Sequence, residues 1–208
     1  MEKKDLLKDV IKHIDIKSYN STELVDAMRN MSFTSRDTAR AADILMMMCK
    51  EKECTNILTL AGSTSAAGCM QVYVDMVRNK MIDVVVATGA SIIDMDLFEA
   101  LGYKHYIGEK ENVIPDTTLR DLYIDRIYDT YIDEEELQAC DHTTFEIANM
   151  LEARPYSSRE FIYEIGKWLH EGNAVKKDSL IQTCYECGVP IFVPAFSDSS
   201  AGFGIGKH

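Results

Sequence analysis

No stretch of the 208-residue chain is apolar over a membrane-spanning length, and its opening residues, MEKKDLLKD, contain no apolar signal core. Basic residues are in short supply: 22 Lys and Arg stand against 34 Asp and Glu, for a formal charge of -12. Binding to a phosphate backbone needs a basic patch, so the composition argues against a nucleic-acid partner. The acidic excess serves solubility and leaves room for a cationic partner or substrate. Of the six cysteines only Cys184 and Cys187 have C-x-x-C spacing, and no second pair completes a zinc site. They are expected to be core thiols in a reducing cytoplasm, with no metal and no membrane involved. Neither G-x-G-x-x-G nor G-x-x-x-x-G-K-[ST] occurs, and no internal repeat or low-complexity linker breaks the chain. No Ser/His/Asp or Cys/His set declares itself from spacing.

What is present is an ordered change of period. The length suits one α/β domain, or one with a small appendage. Residues 1–55 read as a helical N-terminal segment. In residues 1–18, Leu6, Leu7, Val10, Ile11 and Ile14 recur at helical spacing. A second helix is expected over STELVDAMRNM. A third is expected over SRDTARAADILMMMCKEKE, capped by Thr34 or Ser35, with Ala39, Ala42, Leu45, Met46 and Cys49 facing inward. From residue 56 to 208 strands and helices alternate. NILTLAG (56–62) and MIDVVVATGA read as strands, each followed by a helix, and SLIQTCYECG leads as a helix into a third buried strand, VPIFVPAFSD. This pattern predicts a parallel sheet covered on both faces. RPYSSREFIYEIGKWLHEG carries a cap at Ser157 or Ser158 with Glu160 in the first turn. Between Gly102 and Ser179 the pattern is less regular, although IDEEELQACDHTTFEIANMLEA reads as helix, and Arg126 is expected to pair with Asp125 or Asp129.

The three strand ends share a type. LAGSTSAAG, ATGAS and PAFSDSSAG all end in small or hydroxyl residues. In a parallel α/β sheet the carboxyl ends of the strands open on one edge, where backbone amides and helix N-termini receive phosphate-bearing ligands. Close strand-to-helix packing would call for the same small residues. Asp94, Asp96 and Asp198 follow those ends; each can cap a helix, and each can instead meet a ribose hydroxyl or an ammonium group.

Six segments in order, TLAGSTSAAG, DVVVATGAS, DLFEALGYKHYIG, IDRIYDTYIDEEEL, RPYSSREFIYEIGKWL and GVPIFVPAFSDSSAG, resemble the deoxyhypusine synthase family, most closely its archaeal and bacterial branch. The resemblance covers nearly the whole chain from about residue 25. It implies a doubly wound, mostly parallel α/β domain of dinucleotide-binding type and assembly as a homotetramer. It also implies NAD-dependent oxidation of spermidine with release of 1,3-diaminopropane. The aminobutyl group then passes through an imine on an enzyme lysine to a lysine of translation initiation factor 5A, or to putrescine to make homospermidine. Carried over by position, Gly62, Ser63 and Ala66 match the first NAD-contacting turn, and Thr88, Gly89 and Ala90 the second. Asp198 matches an aspartate set against the cofactor, with Ser200 nearby on the substrate side.

The departures from the family pattern are local. Paired glutamates of eukaryotic members fall where this chain reads Ile92-Ile93-Asp94-Met95-Asp96, which makes Asp94 and Asp96 the candidates for an amine contact. A later polyamine-binding aspartate is replaced by Phe203. Family enzymes continue beyond SDSSAG to the lysine that carries the aminobutyl group, and Lys207 does not correspond to it. The alternative expectation is therefore an inactive relative that binds NAD or pairs with a full-length subunit.

Overall fold

The computed structural model describes residues 1–108, 113–197 and 199–206. A short helix, α1 (Lys3–Leu6), buries Leu6 and then stops. The helix expected through residue 18 does not continue: residues 8–14 run extended, and Val10 forms an antiparallel bridge with Tyr106. β-Branched Val10, Ile11 and Ile14 suit an extended path, and the β3 edge gives partners to Ile11 N–H and Asp9 O. Next come α2 (Thr22–Met28) and α3 (Phe33–Lys50), which pack on one another. The inward stripe expected on α3 is corrected. Only Ala39 is buried and Leu45 is half-buried, while Ala42, Met46 and Cys49 face solvent.

The parallel sheet forms where the strand period was read. β1 (Ile57–Leu60) leads through a wide π-helical turn, Ser65–Cys69, into α4 (Met70–Arg78) and then β2 (Val84–Ala87). Ile57 pairs with Val84 and Leu60 with Ala87 in parallel register. A second π-helical segment, Ala90–Leu97, continues into α5 (Phe98–Ala100). β3 (His105–Ile107), α6 (Asp116–Asp121), β4 (Ile124–Ile127) and β5 (Thr130–Asp133) follow. They give a separate antiparallel sheet of order β3-β5-β4, in place of the irregular region expected there. Arg126 pairs with Asp116 at 2.5 Å, not with the neighbours expected from sequence.

The remaining helices are α7 (Glu134–Met150), α8 (Ser158–Trp168) and α9 (Leu180–Cys187), leading to β6 (Ile191–Phe192) and α10 (Ala201–Ile205). β6 pairs parallel to β2, so the described parallel sheet has the order β1-β2-β6. The fold is thus mixed α/β with one parallel and one antiparallel sheet.

One hydrophobic core joins Leu60, Met70, Val85, Ile92, Ile93, Leu97 and Phe98 to Ile147, Ile165, Leu180 and Ile191, so helices α4, α7, α8 and α9 all seat against the parallel sheet and its turns. A smaller cluster of Leu6, Leu119, Ile124 and Tyr131 fixes α1 to the antiparallel sheet. Ser157 and Glu160 cap α8 reciprocally, as read from the sequence. Cys184 is buried in the main core and Cys187 is exposed. No described helix is long and apolar enough to cross a membrane.

Candidate functional site

The carboxyl ends of β1 and β2 lie side by side, because the strands are parallel neighbours, and their turns are tied together. Thr88 donates its amide to Leu60 O at 3.1 Å. Ser91 Oγ lies 3.0 Å from Thr88 Oγ1 and donates to Gly62 O at 3.2 Å. One hydroxyl thus bridges the two turns that the sequence singled out. Gly62 sits at φ +71°, the left-handed region that favours glycine, with no described heavy atom within 4 Å of a would-be Cβ. A ligand can approach its bare backbone. Gly89 is buried, and a Cβ there would lie 2.7 Å from the Ser199 side chain, so the second turn is pressed against the segment after β6.

The predicted cofactor residues divide by environment. Ser63 and Ala90 are half-buried and Thr88 is exposed at the strand ends, while Ala66 is 1% exposed and packs inward. Asp198 lies outside the described residues. Ser65, which the sequence reading did not single out, is buried on the first turn, and its Oγ has no hydrogen-bond partner among the described residues. An open glycine backbone beside an unpaired buried hydroxyl, on turns of small residues, fits a dinucleotide's phosphate and ribose groups.

The two substrate candidates on the second turn behave differently. Asp96 is 1% exposed and accepts the amides of Leu180 and Ile181 at 2.8 and 2.7 Å. With Ser179, which accepts Gln182 N–H at 3.1 Å, it satisfies the N-terminus of α9 from a distance. Both its oxygens are occupied, so the structure gives Asp96 a helix-capping task in place of the amine contact expected. Burial pushes its pKa up to about 6 against the lowering effect of those two amides.

Asp94 is half-buried and accepts Ser200 Oγ at 2.7 Å and Ser200 N at 3.3 Å. The same Ser200 Oγ lies 2.6 Å from Asp141 Oδ1 on α7. One hydroxyl proton cannot serve both carboxylates, so the two short contacts together call for one carboxyl to carry a proton. In keeping with this, burial raises Asp94 to about 6, with Asp141 adding to the effect. Asp141 and Ser200 open onto a cleft of about 530 Å³ whose other lining includes Asp125, Glu134, His142 and Phe203. The cleft is acidic and partly aromatic, which suits a cationic amine. Sequence reasoning missed Asp141, which lies 47 positions after Asp94 and meets it through Ser200.

Behind the second turn, Glu99 is the hub of a buried ion network. Its Oε1 is 2.9 Å from His105 Nδ1, and its Oε2 is 2.6 Å from both His13 Nε2 and Lys176 Nζ. Burial alone would raise the carboxyl, but His105, His13 and Lys176 together hold it well below its ordinary range. The network anchors the N-terminal segment and the loop before α9 to the same short helix.

A family model described as deoxyhypusine synthase matches residues 23–208. The deoxyhypusine synthase-like protein of Caulobacter vibrioides is 67% identical over 207 residues, covering 100% of this chain and 56% of that protein. The one from Coxiella burnetii is 59% identical over 206 residues, covering 99% and 58%. The chain therefore spans about half the length of the curated relatives it matches. Among solved structures, one assigned to deoxyhypusine synthase from Entamoeba histolytica superposes with a TM-score of 0.63 at 20% identity, over 95% of this chain and 66% of that one. That likeness shows a shared fold.

Proposed function

Because the chain belongs to the deoxyhypusine synthase family, we propose that it forms the cofactor- and amine-binding part of an NAD-dependent aminobutyl transferase. The donor in this reading is spermidine, and the acceptor is a lysine of translation initiation factor 5A or a small amine such as putrescine. The observation that carries the reading is the joining of two strand-end turns through Ser91, with Asp94 near the second turn linked through Ser200 to Asp141 on an acidic cleft. The doubly wound, dinucleotide-binding arrangement and a homotetrameric cytoplasmic assembly belong to the same reading.

Gly62, Ser63 and Ser65 on the first turn, and Thr88, Gly89 and Ala90 on the second, would hold the diphosphate and ribose by backbone amides and hydroxyls. Asp198 is assigned to cofactor hydroxyls on the strength of the family resemblance. When bound, the nicotinamide supplies a hydride acceptor for the carbon next to an amine nitrogen, and later a hydride donor. Asp141 on the cleft, with Asp94 behind Ser200, binds the ammonium end of the amine and fixes which carbon faces the ring. Ser200 orients Asp94 by two hydrogen bonds. Phe203, on the cleft wall, packs against the methylene chain in place of a charge. No residue of this chain is assigned the part of the aminobutyl-carrying lysine.

Hydrogen exchange on adding NAD tests the assignment. Protection confined to amides 62–66 and 88–91 is the expected result, and no protection at either turn would refute it. Asp198→Ala should weaken NAD binding, and an unchanged affinity would remove that residue from the site.

A further inference from the structure

The kink at Gly68 interrupts the helix that follows the first turn, so Met70 starts α4 as a first-turn residue whose amide has no acceptor within the helix. The extended N-terminal lead supplies what the kink removes. Met70 N–H donates to His13 Nδ1 at 3.2 Å, and Ile14 N–H donates to Gly68 O at 2.9 Å. Gly68 lies at φ +98°, and a Cβ there would sit 2.9 Å from the Lys12 carbonyl, so lead and turn meet at backbone contact. On its other side, His13 Nε2 is 2.6 Å from Glu99. A ring with its proton on Nε2 and its lone pair on Nδ1 satisfies both neighbours at once.

The rest of the lead is fixed to the antiparallel sheet. Ile11 N–H donates to His105 O at 2.9 Å, and Ile107 N–H donates to Asp9 O at 2.7 Å. Lys3 reaches Asp133 at 2.5 Å and Glu135 at 2.8 Å. The path from His13 into the turn is short: Ala67 N–H bonds Ser63 O at 2.9 Å and Cys69 N–H bonds Thr64 O at 3.1 Å.

We propose that residues 8–14 are a positioning strap for the first strand-end turn, with His13 as its pivot. It holds the backbone at 68–70, and through it the geometry of Ser63, Thr64 and Ser65. This inference rests on the cofactor reading of that turn. His13 is a positioning residue: it acts through Met70 and makes no cofactor contact. The antiparallel sheet, which lies outside the site, thereby sets part of the site's shape.

Amide exchange and NAD titration on the 208-residue chain test it together. His13→Ala should speed exchange of amides 67–70 by roughly tenfold and weaken NAD binding by roughly three- to tenfold. His13→Gln, whose amide offers one acceptor and one donor, should restore most of both. Lys17→Ala removes a neighbouring ion pair with Asp75 without touching 68–70, and should change neither. Unchanged exchange at 67–70 in His13→Ala overturns the strap. Faster exchange with unchanged NAD affinity overturns its role in the cofactor site. If the wild-type chain binds no NAD, the cofactor reading fails, and the exchange result alone decides whether the strap holds the turn. Should His13→Ala not fold, the wild type still decides: the Ile14 and Met70 amides should open at one common rate, and unrelated rates overturn the proposal.

Discussion

Asp94 and Asp96 stand two positions apart and end in opposite roles, a difference set by what each side chain meets. Asp96 faces the N-terminus of α9, while Asp94 faces Ser200, whose hydroxyl also meets Asp141 on the acidic cleft. The sequence offered both as candidates, since a strand-end aspartate can cap a helix or bind a ligand, and only the packing of α9 separates them. Asp94→Asn should leave NAD binding intact and abolish any effect of spermidine on it; a full spermidine effect in the variant would remove Asp94 from the amine site. Both carboxyls also carry a pH signature, because burial raises each to about 6 from a reference of 3.8. An acid with a raised folded-state pKa holds more protons folded than unfolded. Its stabilising contribution is fully present below about pH 4 and is lost as pH rises through about 6. The unfolding midpoint should therefore climb as pH falls from 7 to 5. Glu99 works in the opposite sense, but its contribution is lost only below its unfolded value near 4.5. Asp96→Asn, which keeps one acceptor and turns a donor toward the other amide, should cost about 1–3 kcal/mol at pH 5 and flatten the slope. A midpoint that falls between pH 7 and 5 in the wild type would contradict this account of the two burials.

At the scale of elements, the strands and the α8 cap were legible, whereas the strap was not, and neither was the start of α3, which has Ser32 at its cap position in place of Thr34 or Ser35. β1 and β2 fall where NILTLAG and DVVVATGA change the period, and Ser157 with Glu160 marks the start of α8 by residue type alone. Both signals are local, so no tertiary partner is needed to read them. Val10, Ile11 and Ile14 also recur at helical spacing, which is why a helix was expected. The extended path of Val10 and Ile11 depends on the β3 edge, more than 90 positions away, and that of Ile14 on Gly68. The antiparallel strands had a local signal, the alternation in IDRIYDTYI, but polar residues on both faces obscured its period. The π-helical turns left no periodic trace. Gly68→Ala tests the strap's contact with the turn directly. A left-handed backbone and a carbonyl 2.9 Å from the new Cβ should together cost about 1–3 kcal/mol and detach residues 8–14. Calorimetry and proteolysis within that segment would show both effects, and an unchanged midpoint would mean that the contact yields freely.

Over the whole molecule, the main core gathers the parallel sheet and four long helices, whereas the α2–α3 pair adds little to it. Phe33 is 90% exposed, and Leu24, Ile44, Met46 and Met47 on the same two helices are exposed as well. The stripe expected to face inward on α3 is largely exposed, because periodicity cannot say whether an apolar face meets its own core or another surface. In the homo-oligomeric reading, a second copy covers this face. Sedimentation at micromolar concentration should then give a mass above 23.5 kDa. Met47→Glu should lower that mass, and a monomer at every concentration would count against it. In the proposed function one chain carries both a cofactor turn and an amine-binding cleft. Calorimetric titration with NAD, in the absence and presence of spermidine, tests this most directly. Saturable NAD binding that tightens when spermidine is present is the expected result. NAD binding indifferent to spermidine, or no NAD binding in either condition, would contradict it.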